Sequence, residues 1–277
     1  MVLPTFLGIG AARAGSTWLD QTLRSHQAIY LPERRKELMF FDRHFDEGID
    51  WYERCFAASL KTPCSAIGEI SPRYFAQAHV PGRVYDIIPA CRFLLILRDP
   101  IDRTYSEYKY MVQAYGETRD FLTFCHGRTD AVDESRYDRH LETWFEWFPR
   151  ERFCILIFED VMAEPAKAFD ALAAFLGVSV DGFSTSGADT KVNASFMPRF
   201  RPAYTLAKRT SRFLRHQNVD WAVDWAIRLG ARTAFSSNRR MAPLGRHHRT
   251  ELAPFFAGSV DRTERLLQCD LSAWRAA

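Results

Sequence analysis

One stretch near the start, Gly10-Ala-Ala-Arg-Ala-Gly-Ser-Thr-Trp-Leu19, constrains the fold more than any other. It follows the apolar run Pro4-Thr5-Phe6-Leu7-Gly8-Ile9, short enough for one buried strand. An apolar strand that ends in glycine-rich sequence and opens a helix is the opening unit of a sheet flanked by helices. It turns the first amides of that helix toward an anion. The spacing of Gly10 and Gly15, with Ser16 and Thr17 behind, is one residue away from a phosphate-binding P-loop. That motif demands lysine directly after the second glycine, where this chain has Ser16. A cation stands inside the loop instead, at Arg13. Its guanidinium can hold phosphate or sulfate oxygens in a two-pronged pair. The lysine that meets the γ-phosphate in an ATP-hydrolysing loop is missing.

Further along, short apolar runs alternate with longer segments of helical period. The runs at 5–9, 66–70, 92–97 and 153–158 read as buried strands. Helices are predicted over 17–25, over 100–113 with proline in its first turn, over 137–148, and over 165–176, which stops at Gly177. Leu141, Trp144, Phe145 and Phe148 recur at three- and four-residue spacing and so face a core. The pattern predicts an α/β fold: a central, mostly parallel sheet flanked by helices, with a mainly helical C-terminal region. Beyond Pro198, Trp221, Trp225 and Leu229 share one stripe, read as core packing. The 277 residues suit a single domain.

Charge is unevenly distributed. The net value is +3, yet residues 199–249 hold twelve Lys and Arg against two acids, Asp220 and Asp224. This basic, mostly helical segment is either a solvated face or an attraction for an acidic acceptor. No run approaches the roughly 18 apolar residues of a membrane span. The N-terminal apolar stretch lacks the basic flank and small-residue cleavage site of a signal peptide. Six cysteines are scattered without a CxxC pair, which fits free thiols better than disulfides or zinc. A cytoplasmic location is expected.

A second anion site is predicted at Arg98-Asp-Pro-Ile-Asp-Arg-Thr-Tyr-Ser106. The strand at 92–97 delivers Arg98 at its C-terminal end, where open α/β sheets bind ligands. Ser106 follows two turns into the next helix, so the pair can converge on one phosphate. The competing reading is a helix cap at Asp99 with an exposed serine.

Together the two segments resemble the sulfotransferases that use 3′-phosphoadenosine 5′-phosphosulfate (PAPS). GAARAGSTWL is similar to that family's loop for the 5′-phosphosulfate, and the Arg98-to-Ser106 spacing matches its 3′-phosphate segment. Lys36-Glu-Leu-Met-Phe-Phe-Asp42 resembles a KExxFFD stretch of the heparan-sulfate-type branch. Gly68-Glu-Ile-Ser-Pro-Arg-Tyr74 is similar to its glutamate–lysine–serine/threonine–proline segment. Residues 137–165 follow the familiar order too, and the likeness covers most of 5–180, with a terminal helix ending at Trp274.

The resemblance implies the P-loop-like sulfotransferase fold, with PAPS as co-substrate, the bisphosphate PAP as product, and no metal. It implies that Arg13 steadies the bridging oxygen of the leaving phosphate. Ala14, Gly15, Ser16, Thr17 and Trp18 would surround the 5′-phosphate, and Arg98 with Ser106 the 3′-phosphate. Glu37 is the candidate general base, acting on a hydroxyl or, second, an amine of a carbohydrate or small-metabolite acceptor. A structural salt bridge from Glu37 to Lys36, Arg34 or Arg35 is the alternative, and His26 and His44 are rival bases. Arg199 is the choice within a loop closing over the nucleotide. Ile70 replaces the lysine of the heparan-type branch and Met39 replaces a histidine, so that branch's acceptor does not follow. A small-molecule kinase with a P-loop and a non-catalytic nucleotide-binding protein are the other readings, the first opposed by the missing lysine.

Overall fold

The computed structural model describes residues 2–33, 37–61, 63–183, 196–198 and 236–275. Five strands form one parallel sheet: β1 (Phe6–Gly10), β2 (Ile29–Tyr30), β3 (Ala66–Ile70), β4 (Arg92–Leu97) and β5 (Phe153–Ile157). Their spatial order is β2-β3-β1-β4-β5. The four strands expected from the apolar runs are all present, while β2, at two residues, is too short to leave a periodic signal. Strand β1 lies at the centre, with Phe6 opposite Gly68 of β3 and Arg92 of β4. From there the chain first builds outward through β2 and β3, then crosses to β4 on the other side. That reversal opens a crevice at the C-terminal ends of the strands, between the residues that follow β1 and β4.

Helices cover both faces: α1 (Ser16–Arg24), α2 (Phe40–Arg43), α3 (Ile49–Arg54), α4 (Val80–Ile87), α5 (Pro100–Tyr115) and α6 (Phe121–Gly127). They are followed by α7 (Thr129–Asp133), α8 (Tyr137–Phe145), α9 (Phe158–Ala163), α10 (Pro165–Leu176) and α11 (Arg246–Leu267). Alternation along β4 sets the two cores. Phe93, Leu95 and Leu97 pack with Trp144 and Phe148 and with Leu252, Phe256 and Val260 of α11. Leu94 and Ile96 face the other way, toward Leu19 and Leu23 of α1 and Leu172 and Leu176 of α10. The helix expected over 137–148 ends at Phe145, yet Phe148 still reaches the core beside Phe93. A small antiparallel pair, β6 (Phe196–Pro198) with β7 (Ser236–Arg240), stands apart from the main sheet. Within the basic 199–249 segment the described residues thus hold a strand and the start of α11; Trp221, Trp225 and Leu229 lie outside the described residues. The terminal helix stops at Leu267, and Trp274 is buried from a following 3₁₀ turn. No helix among the described residues is long and apolar enough to cross a membrane.

The junction of β4 and α5 is fixed by polar contacts. Asp99 caps α5, accepting from the amides of Ile101 at 2.8 Å and Asp102 at 3.0 Å, and Pro100 occupies the first helical position. Arg249 of α11 pairs with Asp99 at 2.9 Å and Asp102 at 2.7 Å, tying the C-terminal helix to the same corner. Asp99→Ala removes a cap and one of the two carboxylates that hold Arg249, which keeps Asp102. It should destabilise the fold by roughly 1–3 kcal/mol in urea denaturation. A change below about 0.5 kcal/mol, the range of neutral surface substitutions, would show that this corner carries no stability.

Candidate active site

The ends of β3, β1 and β4, neighbours in the sheet, each deliver one part of the site. After β1 the loop folds back on itself, with the Ala11 amide donating to the Ile96 carbonyl at 2.8 Å and that of Ala14 to Ala11 at 3.1 Å. Gly15 has φ 107°, and a Cβ there would lie 2.9 Å from the ring of Phe158. Glycine is therefore required twice, by conformation and by space. No side chain caps α1, so its first-turn amides are left for the loop or a ligand. Arg13 adopts φ 71°, an unusual conformation for a residue with a side chain. Its Nε donates to Glu107 at 3.0 Å and its guanidinium lies 3.6 Å from the Tyr110 ring centroid. The loop cation is thus pre-oriented by α5, and only Nε enters a hydrogen bond among the described residues.

Arg103 supports the loop from beneath. It is 1% exposed, and its Nε donates to the Ala12 carbonyl at 3.0 Å. Its Nη1 reaches the Ala131 carbonyl and Ser135, and its Nη2 pairs with Glu134. Arginine here replaces solvent around an otherwise buried loop carbonyl, and its own charge is answered by a carboxylate.

Arg98 follows β4 directly. Its carbonyl accepts from the Tyr137 hydroxyl at 2.8 Å, and the next amide, of Asp99, donates to Glu159 at 3.0 Å. Glu159 also accepts from the Trp274 indole at 3.3 Å, and burial pushes its carboxyl above the usual range. With its backbone held from both sides, Arg98 places its guanidinium 4.7 Å from the Phe158 ring centroid. Its Nε is buried without a hydrogen-bond partner. An unanswered cationic nitrogen inside a crevice is costly on its own, and it suits a position that an anion completes. Ser106 is half-buried on α5, two turns beyond. Phe158 connects the two anion-directed parts, lying against Gly15 on one side and Arg98 on the other.

The third part stands at the end of β3. Glu69 is 1% exposed and accepts from Tyr52 at 2.8 Å, Ser71 at 2.7 Å and Tyr74 at 3.0 Å, and from the backbone of Leu38. Burial drives its carboxyl upward against these donors, which favour the anion. Ser71 accepts in turn from the Met39 amide at 3.1 Å, and Tyr74 from that of Phe41 at 3.2 Å. Residues 38–41 are therefore stitched to the end of β3, and half-buried Glu37 is carried with them. Met39 has φ 54°, the second such conformation at this edge of the sheet. Ser71 to Phe75 press on the loop, since a Cβ on Gly10 would lie 2.6 Å from that of Phe75. Burial also raises the Asp42 carboxyl, one of whose oxygens is buried without a partner.

The expected site residues thus divide. Arg13, Ala14, Gly15, Ser16 and Thr17 form the loop and the start of α1; Arg98 and Ser106 flank the crevice; Glu37 is in the segment before α2 that is stitched to the end of β3. Trp18 differs: its indole is 6% exposed and stacks on Phe169 at 6.1 Å in the α1–α10 core, so only its backbone faces the loop. His26 is a structural residue, 5% exposed, accepting from the Ala28 amide and bonded through Nε2 to the Ser179 carbonyl at 2.8 Å. With both nitrogens engaged it is no base. His44 stacks on Trp51 at 5.3 Å beside α2. Ile70 is buried against Gly8 and supplies no charge. Arg199 lies outside the described residues, as do Arg34, Arg35 and Lys36, the salt-bridge partners of the alternative reading of Glu37. Sequence reasoning missed Arg103, Glu69, Tyr52 and Phe158 as functional supports. Their partners are distant in sequence; Arg103, Glu69 and Phe158 stand inside the matched segments, but nothing there names what they hold.

The sulfotransferase domain family matches residues 4–221, and the chain belongs to it, among the PAPS-dependent sulfotransferases. Over 192 residues it is 30% identical to the heparan sulfate glucosamine 3-O-sulfotransferase 5 of Mus musculus, covering 64% of this chain and 54% of that protein. It is 29% identical over 195 residues to the human bifunctional heparan sulfate N-deacetylase/N-sulfotransferase 3, covering 64% of this chain and 22% of that protein. The chain thus spans about half or less of these curated relatives. A crystal structure of a sulfotransferase from Alicyclobacillus acidocaldarius superposes with a TM-score of 0.73, at 25% identity and full coverage of both chains.

Tyr52→Phe and Tyr74→Phe each remove one donor from a buried carboxylate and should each cost about 1–3 kcal/mol in denaturant unfolding. Both donate to the same oxygen, so the double variant should depart from additivity by more than about 0.5 kcal/mol. Strict additivity would show that the Glu69 cluster is not one unit.

Proposed function

We propose that this protein transfers the sulfuryl group of PAPS to a hydroxyl of a carbohydrate or small-metabolite acceptor, with Glu37 as general base. An amine is the second choice of acceptor. The observation that carries the reading is that adjacent strand ends bring together two anion-directed sites and a carboxylate. The loop after β1 offers amides and Arg13, the end of β4 offers Arg98 with an unanswered Nε, and the segment tied to the end of β3 carries Glu37. A donor with phosphate groups at both ends of its ribose needs two such sites, and the residues present fit it. PAPS supplies the activated sulfuryl group, displaced in line from a phosphate leaving group.

The chain's residues do the rest. The α1 amides and Arg13 answer charge that grows on the leaving phosphate. Arg98 and Ser106 fix the far end of the nucleotide, converting a bimolecular encounter into a positioned one. Glu37 takes the acceptor proton. The curated relatives that act on heparan sulfate support a carbohydrate acceptor. Ile70 and Met39, neither of which carries charge, leave the acceptor side without two groups that the heparan-type motif supplies. A less anionic acceptor than heparan sulfate fits that change. Six free cysteines suit a reducing compartment.

PAP should raise the unfolding temperature, whereas magnesium–ATP should leave it unchanged; stabilisation by magnesium–ATP alone would contradict the assignment. With an acceptor in hand, Glu37→Gln should lower turnover by roughly 10²–10⁴-fold while PAP affinity stays within about twofold. Full turnover in that variant would remove Glu37 as the base.

A further inference from the structure

We propose that Lys109 is a second cation for the 3′-phosphate of the donor, so that this protein selects bisphosphorylated nucleotides through a pair of charges, Arg98 and Lys109, on either side of Ser106. The inference rests on the donor reading above and names a residue that neither the loop motif nor the Arg98–Ser106 spacing points to. Its basis is placement. Lys109 lies one turn beyond Ser106 on α5, so Asp102, Ser106 and Lys109 form one stripe at four- and three-residue spacing. Arg103, Glu107 and Tyr110 form the neighbouring stripe, which holds Ala12 and Arg13 of the loop. The stripe carrying Lys109 therefore borders the crevice between the loop and Arg98.

Lys109 has no carboxylate partner within ion-pair distance among the described residues. Its ammonium sits 4.9 Å from the centroid of the Tyr105 ring, whose hydroxyl is anchored on the Ala242 carbonyl at 2.5 Å. The one acid on its stripe, Asp102, is committed to Arg249. Burial and the field of Arg98 both hold the Lys109 ammonium below its ordinary pKa, while Asp102 opposes them. The crevice is thus bordered by Arg98, whose Nε is buried without a hydrogen-bond partner, and by half-buried Lys109, which makes no ion pair among the described residues. Cations that lack a counter-anion, with a serine hydroxyl one turn before the lysine on the same stripe, are groups that a doubly charged phosphate would answer. A neutral 3′-hydroxyl would not.

Isothermal titration with PAP and with adenosine 5′-phosphate tests this, because the two ligands differ only in the 3′-phosphate. The wild-type protein should prefer PAP, and Lys109→Met should cut that preference by about tenfold while leaving adenosine 5′-phosphate binding unchanged, as expected for one charge-assisted contact. Lys109→Arg should restore most of the preference. Without ligand, Lys109→Met should unfold at the same temperature as wild type or higher, since it removes a repulsion with Arg98. Undiminished PAP preference in Lys109→Met would overturn the proposal and leave the donor reading standing. Equal loss for both ligands would also overturn it, by assigning the lysine a structural role. A wild-type protein with no preference for PAP would instead overturn the donor reading itself.

Discussion

Parallel pairing of β1 with β3 on one side and β4 on the other is the constraint on which the site depends. All three strands point the same way, so all three release their chains at one edge of the sheet. The P-loop-like segment, the Arg98 corner and the Glu69 cluster are consequences of that edge. Reverse any one strand and its polar residues move to the opposite end of the molecule. The crevice forms where chain order changes direction around β1, which is where an open α/β sheet leaves room for a ligand.

What the sheet places roughly, buried polar side chains place finely. Arg103 holds a loop carbonyl, Glu69 gathers the segment that bears Glu37, and Glu159 with Tyr137 brackets the backbone at Arg98. Each is buried or half-buried, and each lies far in sequence from what it holds. The two left-handed conformations outside glycine at this edge, at Arg13 and Met39, fall in the segments so held. Conformations of that kind persist where surrounding contacts over-determine them, and they concentrate at functional sites. The site thus trades local backbone ease for a fixed arrangement of charges.

Much of this was legible before any coordinates. Apolar runs of five or six residues between turn signals announce β1, β3, β4 and β5, because strands buried on both faces must be almost wholly apolar. The loop and Arg98 were legible because strand ends in parallel sheets point to ligands. Two side chains are placed by contacts that the sequence does not display. Trp18 reads as part of the loop from its position in the motif, but helical spacing places it with the core stripe that contains Phe169's contact. His26 reads as a rival base from its chemistry, but tertiary contacts with Ala28 and Ser179 occupy both of its nitrogens. Glu69 and Arg103 stand inside quoted motifs, but the contacts they make were invisible because tertiary hydrogen bonding has no sequence period. Lys109 was passed over for a related reason: its proposed role depends on which stripe of α5 borders the crevice, and the fold decides that.

The most direct measurement of the central claim is a crystal structure of the PAP complex. The account predicts the 5′-phosphate against the amides of residues 14–17 and Arg13, and the 3′-phosphate against Arg98 and Ser106, with Glu37 facing the vacated sulfuryl position. A nucleotide bound away from the ends of β1 and β4, or held with its two phosphates exchanged between these sites, would contradict it.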